Sequence, residues 1–350
     1  MKQDNYFKNR DEENILKLQD LKKELPFFCS EFFMGIEANT TPLTRLGYAI
    51  DLKIFFDFLI REMPEFINKN SIRELTIDDL EKITSTHLEH YLHYLTLYKL
   101  DGKIYRNGEK AKSRKLSAIR SLLKYFFKKG AISKNVGSKI DTPKIHENEI
   151  IRLEIDEMVK LLNESESGYN LTKMQRGFHS HTKNRDVAML SLFLGTGIRI
   201  SECVGLNVED VDFDANAFTV TRKGGNRVIL YFNDEVASAL KTYVEERNND
   251  KTIPKEEHAL FLSLQKKRIG VRAVEKLVKK YAQIAAPLKH ITPHKLRSTF
   301  GTNLYRETGD IYVVATVLGH KDVNTTRKHY AAISEDIRRS AAEKVKLRKE

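Results

Sequence analysis

Apolar positions recur with a helical period along most of the chain and give way to strict alternation in one place. Leu46, Ala49, Ile50, Phe56 and Leu59 fall on one side of a helix predicted over Thr41 to Arg61. Helices are likewise predicted over Ile15 to Leu25, Asp78 to Leu97 and Ser113 to Lys129, so residues from about 12 to 140 read as helices alone. Residues 141–149 have no period and contain Pro143, which predicts a linker over 141–150. Beyond it, a helix is predicted over Ile155 to Asn163. The polar stretch Ser165 to Asn184, with Gly168 and Gly177, reads as a surface insertion. From Arg185 a strongly apolar helix (Val187, Met189, Leu190, Phe193, Leu194) runs to Gly195-Thr196-Gly197. Ala217 to Thr221 alternates and is β-branched, Lys223-Gly224-Gly225-Asn226 is a turn, and Val228 to Phe232 returns, which predicts a hairpin. Helices follow over Val236 to Arg247 and Val271 to Ile284. Pro293 opens another, with Leu296, Phe300 and Leu304 on its core side. Ile311, Val314, Ala315 and Leu318 make a short helix stopped by Gly319. The tail, Ser334 to Glu350, reads as a helix whose apolar seam (Ile337, Ala341, Val345, Leu347) is too narrow to hold a core alone. The fold class is therefore mainly α with a small β-hairpin, in two domains, 1–140 and 151–350.

Charge changes this picture in one segment. The 350 residues carry a net charge of +12. Between Lys103 and Lys139 stand twelve basic residues against a single acid, Glu109, so nearly all of the excess lies in a tenth of the chain. Arg120, Lys124 and Lys128 repeat at i+4 in a stripe apart from the apolar face of Leu116, Ile119, Leu122, Leu123, Phe126 and Phe127. A charge run on a helix is ordinarily a solvated face. Its concentration, beside phosphate-handling residues further along the chain, favours a polyanionic partner, with Lys112, Arg114, Lys115, Arg120, Lys124 and Lys128 as candidate phosphate contacts.

Cys29 and Cys203 fit no metal or disulfide pattern, which suits a cytoplasmic setting. The start has no apolar h-region and no run of eighteen apolar residues occurs, so neither export nor membrane insertion is expected. His87, His90 and His93 on one predicted helix, and His179 and His181 in the polar stretch, have no cysteine or paired carboxylate beside them. They read as solvated or DNA-facing histidines, with no metal site. No glycine-rich nucleotide loop and no clustered carboxylates appear, so no cofactor is expected.

Two clusters carry chemistry. In the first, Arg199 begins a new helix after the glycine corner, in Ile198-Arg199-Ile200-Ser201-Glu202, where an anion is welcome. In the second, His294 and Arg297 share the first turn of a helix, His320 follows the Leu318-Gly319 stop, and Tyr330 comes after Thr325-Thr326. A guanidinium fork binds phosphate oxygens, an imidazole moves protons near neutral pH, and a tyrosyl oxygen is a possible nucleophile.

Together, Gly195-Thr196-Gly197-Ile198-Arg199-Ile200-Ser201-Glu202, His294-Lys295-Leu296-Arg297, Leu318-Gly319-His320 and Thr325-Thr326 with Tyr330 resemble the catalytic domain of the tyrosine recombinase (phage integrase) family. Xer-type and transposon-borne integrases are the most similar branches. The resemblance covers Arg185 to Ala332 closely and the N-terminal part in general form. It implies a two-domain DNA clamp, with 1–140 a helical, SAM-like core-binding domain and 151–350 the catalytic domain. It also implies site-specific cleavage and rejoining through a 3′-phosphotyrosine, without metal or ATP. By that resemblance Tyr330 attacks, Arg199 and Arg297 bind the non-bridging oxygens, and Lys223 in the hairpin turn protonates the leaving 5′-oxygen. His294 assists proton transfer, His320 hydrogen-bonds the phosphate, and Glu202 orients the site from behind. The implied partner is duplex DNA with an inverted-repeat site, bound by a tetramer whose C-terminal helices dock in trans. One departure stands out: His329 occupies the place where most relatives carry the tyrosine, and Tyr330 lies one residue further. No other tyrosine follows His320. Two alternatives stay open at this point. A type IB topoisomerase would relax plasmids without recombinant product, and a catalytically idle DNA-binding relative would form no covalent adduct.

Overall fold

The computed structural model describes residues 6–100, 102–144, 151–222, 225–319 and 323. Two compact units divide the chain, Met1–Asn148 and Glu149–Glu350. Among the described residues no helix is long and apolar enough to cross a membrane.

In order along the first unit run α1 (Tyr6–Lys22), α2 (Phe28–Gly35), α3 (Pro42–Glu62), α4 (Ile77–Glu81), α5 (Ser85–Tyr94), β1 (Leu97–Leu100), β2 (Lys103–Arg106) and α6 (Glu109–Lys128). The Thr41 hydroxyl accepts the Thr44 N–H and Pro42 fills the first turn, so α3 starts where an orphan donor is capped. Its buried side is wider than the period indicates. Leu52, Phe55 and Phe58 are buried beside Ala49, Phe56 and Leu59, whereas Ile50 is exposed. The single helix expected over Asp78–Leu97 is instead α4 and α5, because Thr84 and His87 exchange side-chain and backbone hydrogen bonds and cap a fresh start. Beyond α5 the unit is not helical throughout: β1 and β2 pair antiparallel, with Tyr98 stacked on Tyr105. Phe28 meets Phe56 and Phe126 edge-on, tying α2 to α3 and α6.

One polar contact crosses this core. Asp51 on α3 is fully buried and accepts from both nitrogens of the Arg114 fork and, at 3.2 Å, from the buried Lys115 ammonium.

The second unit runs α7 (Ile155–Ser167), α8 (Lys173–Thr196), α9 (Ile200–Gly205), β3 (Val211–Asp212), β4 (Ala217–Thr221), β5 (Arg227–Tyr231), α10 (Asp234–Asn249), α11 (Val271–Ala285), α12 (Pro293–Thr308) and α13 (Ile311–Leu318). The polar stretch read as an insertion belongs to helices. α7 continues to Ser167 and stops at left-handed Gly168, and the Thr172 hydroxyl caps the start of α8. The C-terminal half of α8 (Ala188 to Phe193) is buried on nearly every side. Its N-terminal half buries selected polar groups: His179 holds the Ser165 carbonyl at 2.9 Å, and Asp186 accepts from Thr182, Arg185, Lys280 and Tyr281. His179 and His87 are therefore core residues rather than solvated or DNA-facing ones, while His90, His93 and His181 are exposed. The small sheet is antiparallel in the order β3-β4-β5, with Val220 opposite Val228 and Thr221 opposite Arg227.

Removing the buried carboxylate in Asp51→Ala strands Lys115 without a counter-charge and is expected to destabilise the helical unit by roughly 3–5 kcal/mol in urea unfolding. A loss below about 1 kcal/mol would show that the contact is dispensable.

Candidate active site around the end of α13

The short helix α13 is capped at its start by Asp310, whose carboxylate accepts the Tyr312 N–H at 2.7 Å. At its end Gly319 adopts a left-handed conformation, φ +64°, and turns its N–H back to the Ala315 and Thr316 carbonyls. Beyond them come the carbonyls of Val317, Leu318 and Gly319, at the negative end of the helix dipole. Three arginines from three different elements take them. Arg222, just past β4, donates Nη2 to Val317 O at 3.3 Å. Arg297, in the first turn of α12, donates Nη2 to Leu318 O. Arg199, immediately before α9, donates Nη2 to Gly319 O at 3.1 Å.

Local structure explains why each arginine arrives there. α8 ends at Thr196, and Gly197 reverses the backbone with φ +61°. A Cβ on Gly197 would lie 2.4 Å from the Phe300 ring and 2.9 Å from a Leu318 methyl, so only glycine lets α8, α12 and α13 meet. The Gly197 carbonyl accepts from Arg297 Nη1, and α9 begins three residues later. Arg297 thus bridges the glycine corner to the end of α13 and is buried while doing so. Glu202, also buried, accepts the Arg199 backbone N–H at 3.0 Å and Arg199 Nη1 at 2.8 Å. Its other cationic neighbour is Arg222, whose Nε lies 4.0 Å away.

Three guanidinium groups facing one carboxylate leave a net positive cluster, partly balanced by the helix end. Burial pulls the Arg222 guanidinium below its ordinary pKa; Glu202 opposes that shift and Arg199 adds to it. Arg199 is the most open of the three, about a third exposed, so an incoming anion would meet it first.

Of the residues singled out from the sequence, the structure brings Arg199, Glu202 and Arg297 together. His294 stands three positions before Arg297 on α12 and is exposed while Arg297 is buried. Lys223, His320 and Tyr330 lie outside the described residues, as do Thr325, Thr326 and the tail Ser334–Glu350. Arg222 was missed. The signal was present: it follows Phe218 and Val220 at two-residue steps, so it continues the buried face of β4.

The basic stripe of α6 is more committed than its sequence indicates. Lys115 is buried on Asp51, so it cannot reach a phosphate and holds the core instead. Arg120 binds the Gly137 carbonyl at 2.9 Å, the Thr142 hydroxyl at 2.7 Å and the Ile140 carbonyl, pinning the segment that follows α6. Lys112 pairs with Glu109 at 3.1 Å. Arg114, Lys124 and Lys128 are exposed, but Arg114 gives both nitrogens of its fork to Asp51.

Residues 152–336 match the phage integrase family. The protein named Tyrosine recombinase XerC from Caldanaerobacter subterraneus subsp. tengcongensis is 32% identical over 327 residues, covering 91% of this chain and 86% of its own length. Tyrosine recombinase XerS from Streptococcus agalactiae is 30% identical over 353 residues, covering 94% of this chain and 98% of its own. The crystal structure of XerH site-specific recombinase bound to palindromic difH substrate, a post-cleavage complex, superposes with a TM-score of 0.63 at 19% identity, over 87% of this chain and 80% of that one. At that identity the likeness is one of fold.

Proposed function

We propose how this chain acts from one premise: it belongs to the phage integrase family and is a tyrosine recombinase of the Xer type, an enzyme of site-specific DNA recombination. The observation that carries the proposal is the seating of Arg199 and Arg297 on the adjacent carbonyls of Leu318 and Gly319. It fixes two cations side by side, one residue before His320. Two guanidinium groups held in that way suit the two non-bridging oxygens of one phosphodiester.

In the reaction, the Tyr330 oxygen attacks phosphorus and the bond to the 5′-oxygen breaks, leaving a 3′-phosphotyrosine. Lys223 gives its proton to the departing 5′-oxygen, while His294 takes up the proton of the tyrosine. His320 donates a hydrogen bond to the phosphate, and Arg199 and Arg297 neutralise the charge that builds on its oxygens. Glu202 acts one layer back, holding Arg199 by both its backbone and its fork. The covalent intermediate keeps the energy of the phosphodiester, so a 5′-hydroxyl from a second strand can reverse the step without ATP. Because the arginines carry the transition-state charge, the chemistry needs no metal.

Duplex DNA with an inverted-repeat site is the proposed substrate, with cytoplasmic action. The helical unit contributes phosphate contacts through Lys124 and Lys128, exposed on α6. Arg114 adds one where a nitrogen of its fork leaves Asp51 for a phosphate. Lys112 adds a contact where its pairing with Glu109 gives way to a phosphate. The active assembly is a tetramer on paired sites, joined by the tail Ser334–Glu350 docking on a neighbouring protomer.

Tyr330→Phe is expected to bind DNA as the native chain does but to form no covalent adduct on a nicked trap duplex; a persisting adduct would assign the nucleophile elsewhere. Deleting Ser334–Glu350 is expected to leave binding to a single site intact while abolishing the paired complex in gel-shift and crosslinking assays. Normal recombination by the truncated chain would contradict docking in trans.

A further inference from the structure

Arg222 is the one member of the arginine cluster with no role in the reaction just described. Its backbone closes the hairpin turn: its N–H donates to Asn226 O at 2.8 Å, and its carbonyl accepts the Gly225 N–H at 3.0 Å. Its side chain leaves that turn for the end of α13, where Nη2 meets the Val317 carbonyl. The guanidinium lies so close over Gly319 that a Cβ there would stand 1.9 Å from Nη1. Nε is buried and, among the described residues, has no hydrogen-bond partner; the Glu202 carboxylate is 4.0 Å away. On the far side of the turn Gly225, Asn226 and Arg227 are exposed, and Arg227 is tied to Asp210 at 3.4 Å.

We infer that Arg222 is a positioning residue: it fastens the base of the hairpin turn that carries Lys223 to the helix end on which Arg199 and Arg297 are seated. The inference rests on the proposed role of Lys223 as the acid for the leaving 5′-oxygen. Lys223 is the residue joined directly to Arg222 in the chain. A lysine at 222 would lack the fork that covers Gly319 and reaches the Val317 carbonyl at once. Arg222 therefore ties the base of the hairpin to the end of α13, where Arg199 and Arg297 are seated.

The test compares two nicked trap duplexes in single-turnover cleavage. One has the ordinary 5′-bridging oxygen at the scissile phosphate; the other has a 5′-bridging sulfur, which departs as a thiolate and needs no proton. Lys223→Ala serves as the reference, with Arg222→Ala and the length-preserving Arg222→Met as the variants. The two Arg222 variants are expected to cleave the oxygen substrate about a hundredfold more slowly than the native chain, as an ångström-scale misplacement would, and the sulfur substrate within a few-fold of it. Lys223→Ala is expected to follow the same pattern. If sulfur rescues Lys223→Ala but neither Arg222 variant, Arg222 supports the fold generally and the inference falls alone. Native rates on both substrates for the Arg222 variants would also overturn it. If sulfur fails to rescue Lys223→Ala, the acid assignment falls and takes the inference with it.

Discussion

Three successive carbonyls at the end of α13 decide how the second unit is put together. A helix terminus buried against other elements must find donors for its last carbonyls, because each one left unpaired costs on the order of 1–3 kcal/mol. Here Arg222, Arg297 and Arg199 supply them, one carbonyl each. These arginines come from the hairpin, from the first turn of α12 and from the start of α9, so a single structural need draws three distant parts of the chain to one place. The chemistry follows from the packing. A cluster of guanidinium groups assembled to finish a helix is also a site that an anion would occupy.

Such a cluster would repel itself without Glu202. Its buried carboxylate is bonded directly to Arg199 and lies near Arg222, so it offsets part of the like-charge cost while leaving the whole positive. The glycines do the complementary steric work. Gly197 permits the close meeting of α8, α12 and α13, and Gly319 permits Arg222 to lie across the helix end. At each of these positions a side chain would displace an arginine or an arginine's anchor, which is why the sequence around them is so constrained in space.

How much of this could be read from the sequence depended on whether a residue's role is local. The hairpin, the helix starts at Pro42 and Pro293 and the stop at Gly319 were legible, because turn chemistry and capping act within a few positions. Arg199, Glu202 and Arg297 were legible only through their resemblance to a known pattern, since nothing in their spacing says that they converge. Long-range pairings were opaque. Lys115 looked like a DNA-facing lysine until Asp51, sixty-four positions away, claimed it. His179 looked solvated because the burial of the polar half of α8 depends on Ser165 and Tyr281. The break between α4 and α5 was hidden for another reason: Thr84 caps through a histidine, a partner that the usual capping pattern does not include.

The proposed reaction requires the arginines seated on α13 to serve one phosphate. The structure of the Tyr330→Phe chain trapped on a duplex carrying its recombination site tests this most directly. Nitrogens of Arg199 and Arg297 are expected within about 3 Å of the two non-bridging oxygens of a single phosphate, with α13 still ending beneath them. Guanidinium groups bound to different phosphates, or turned away from the DNA altogether, would contradict it.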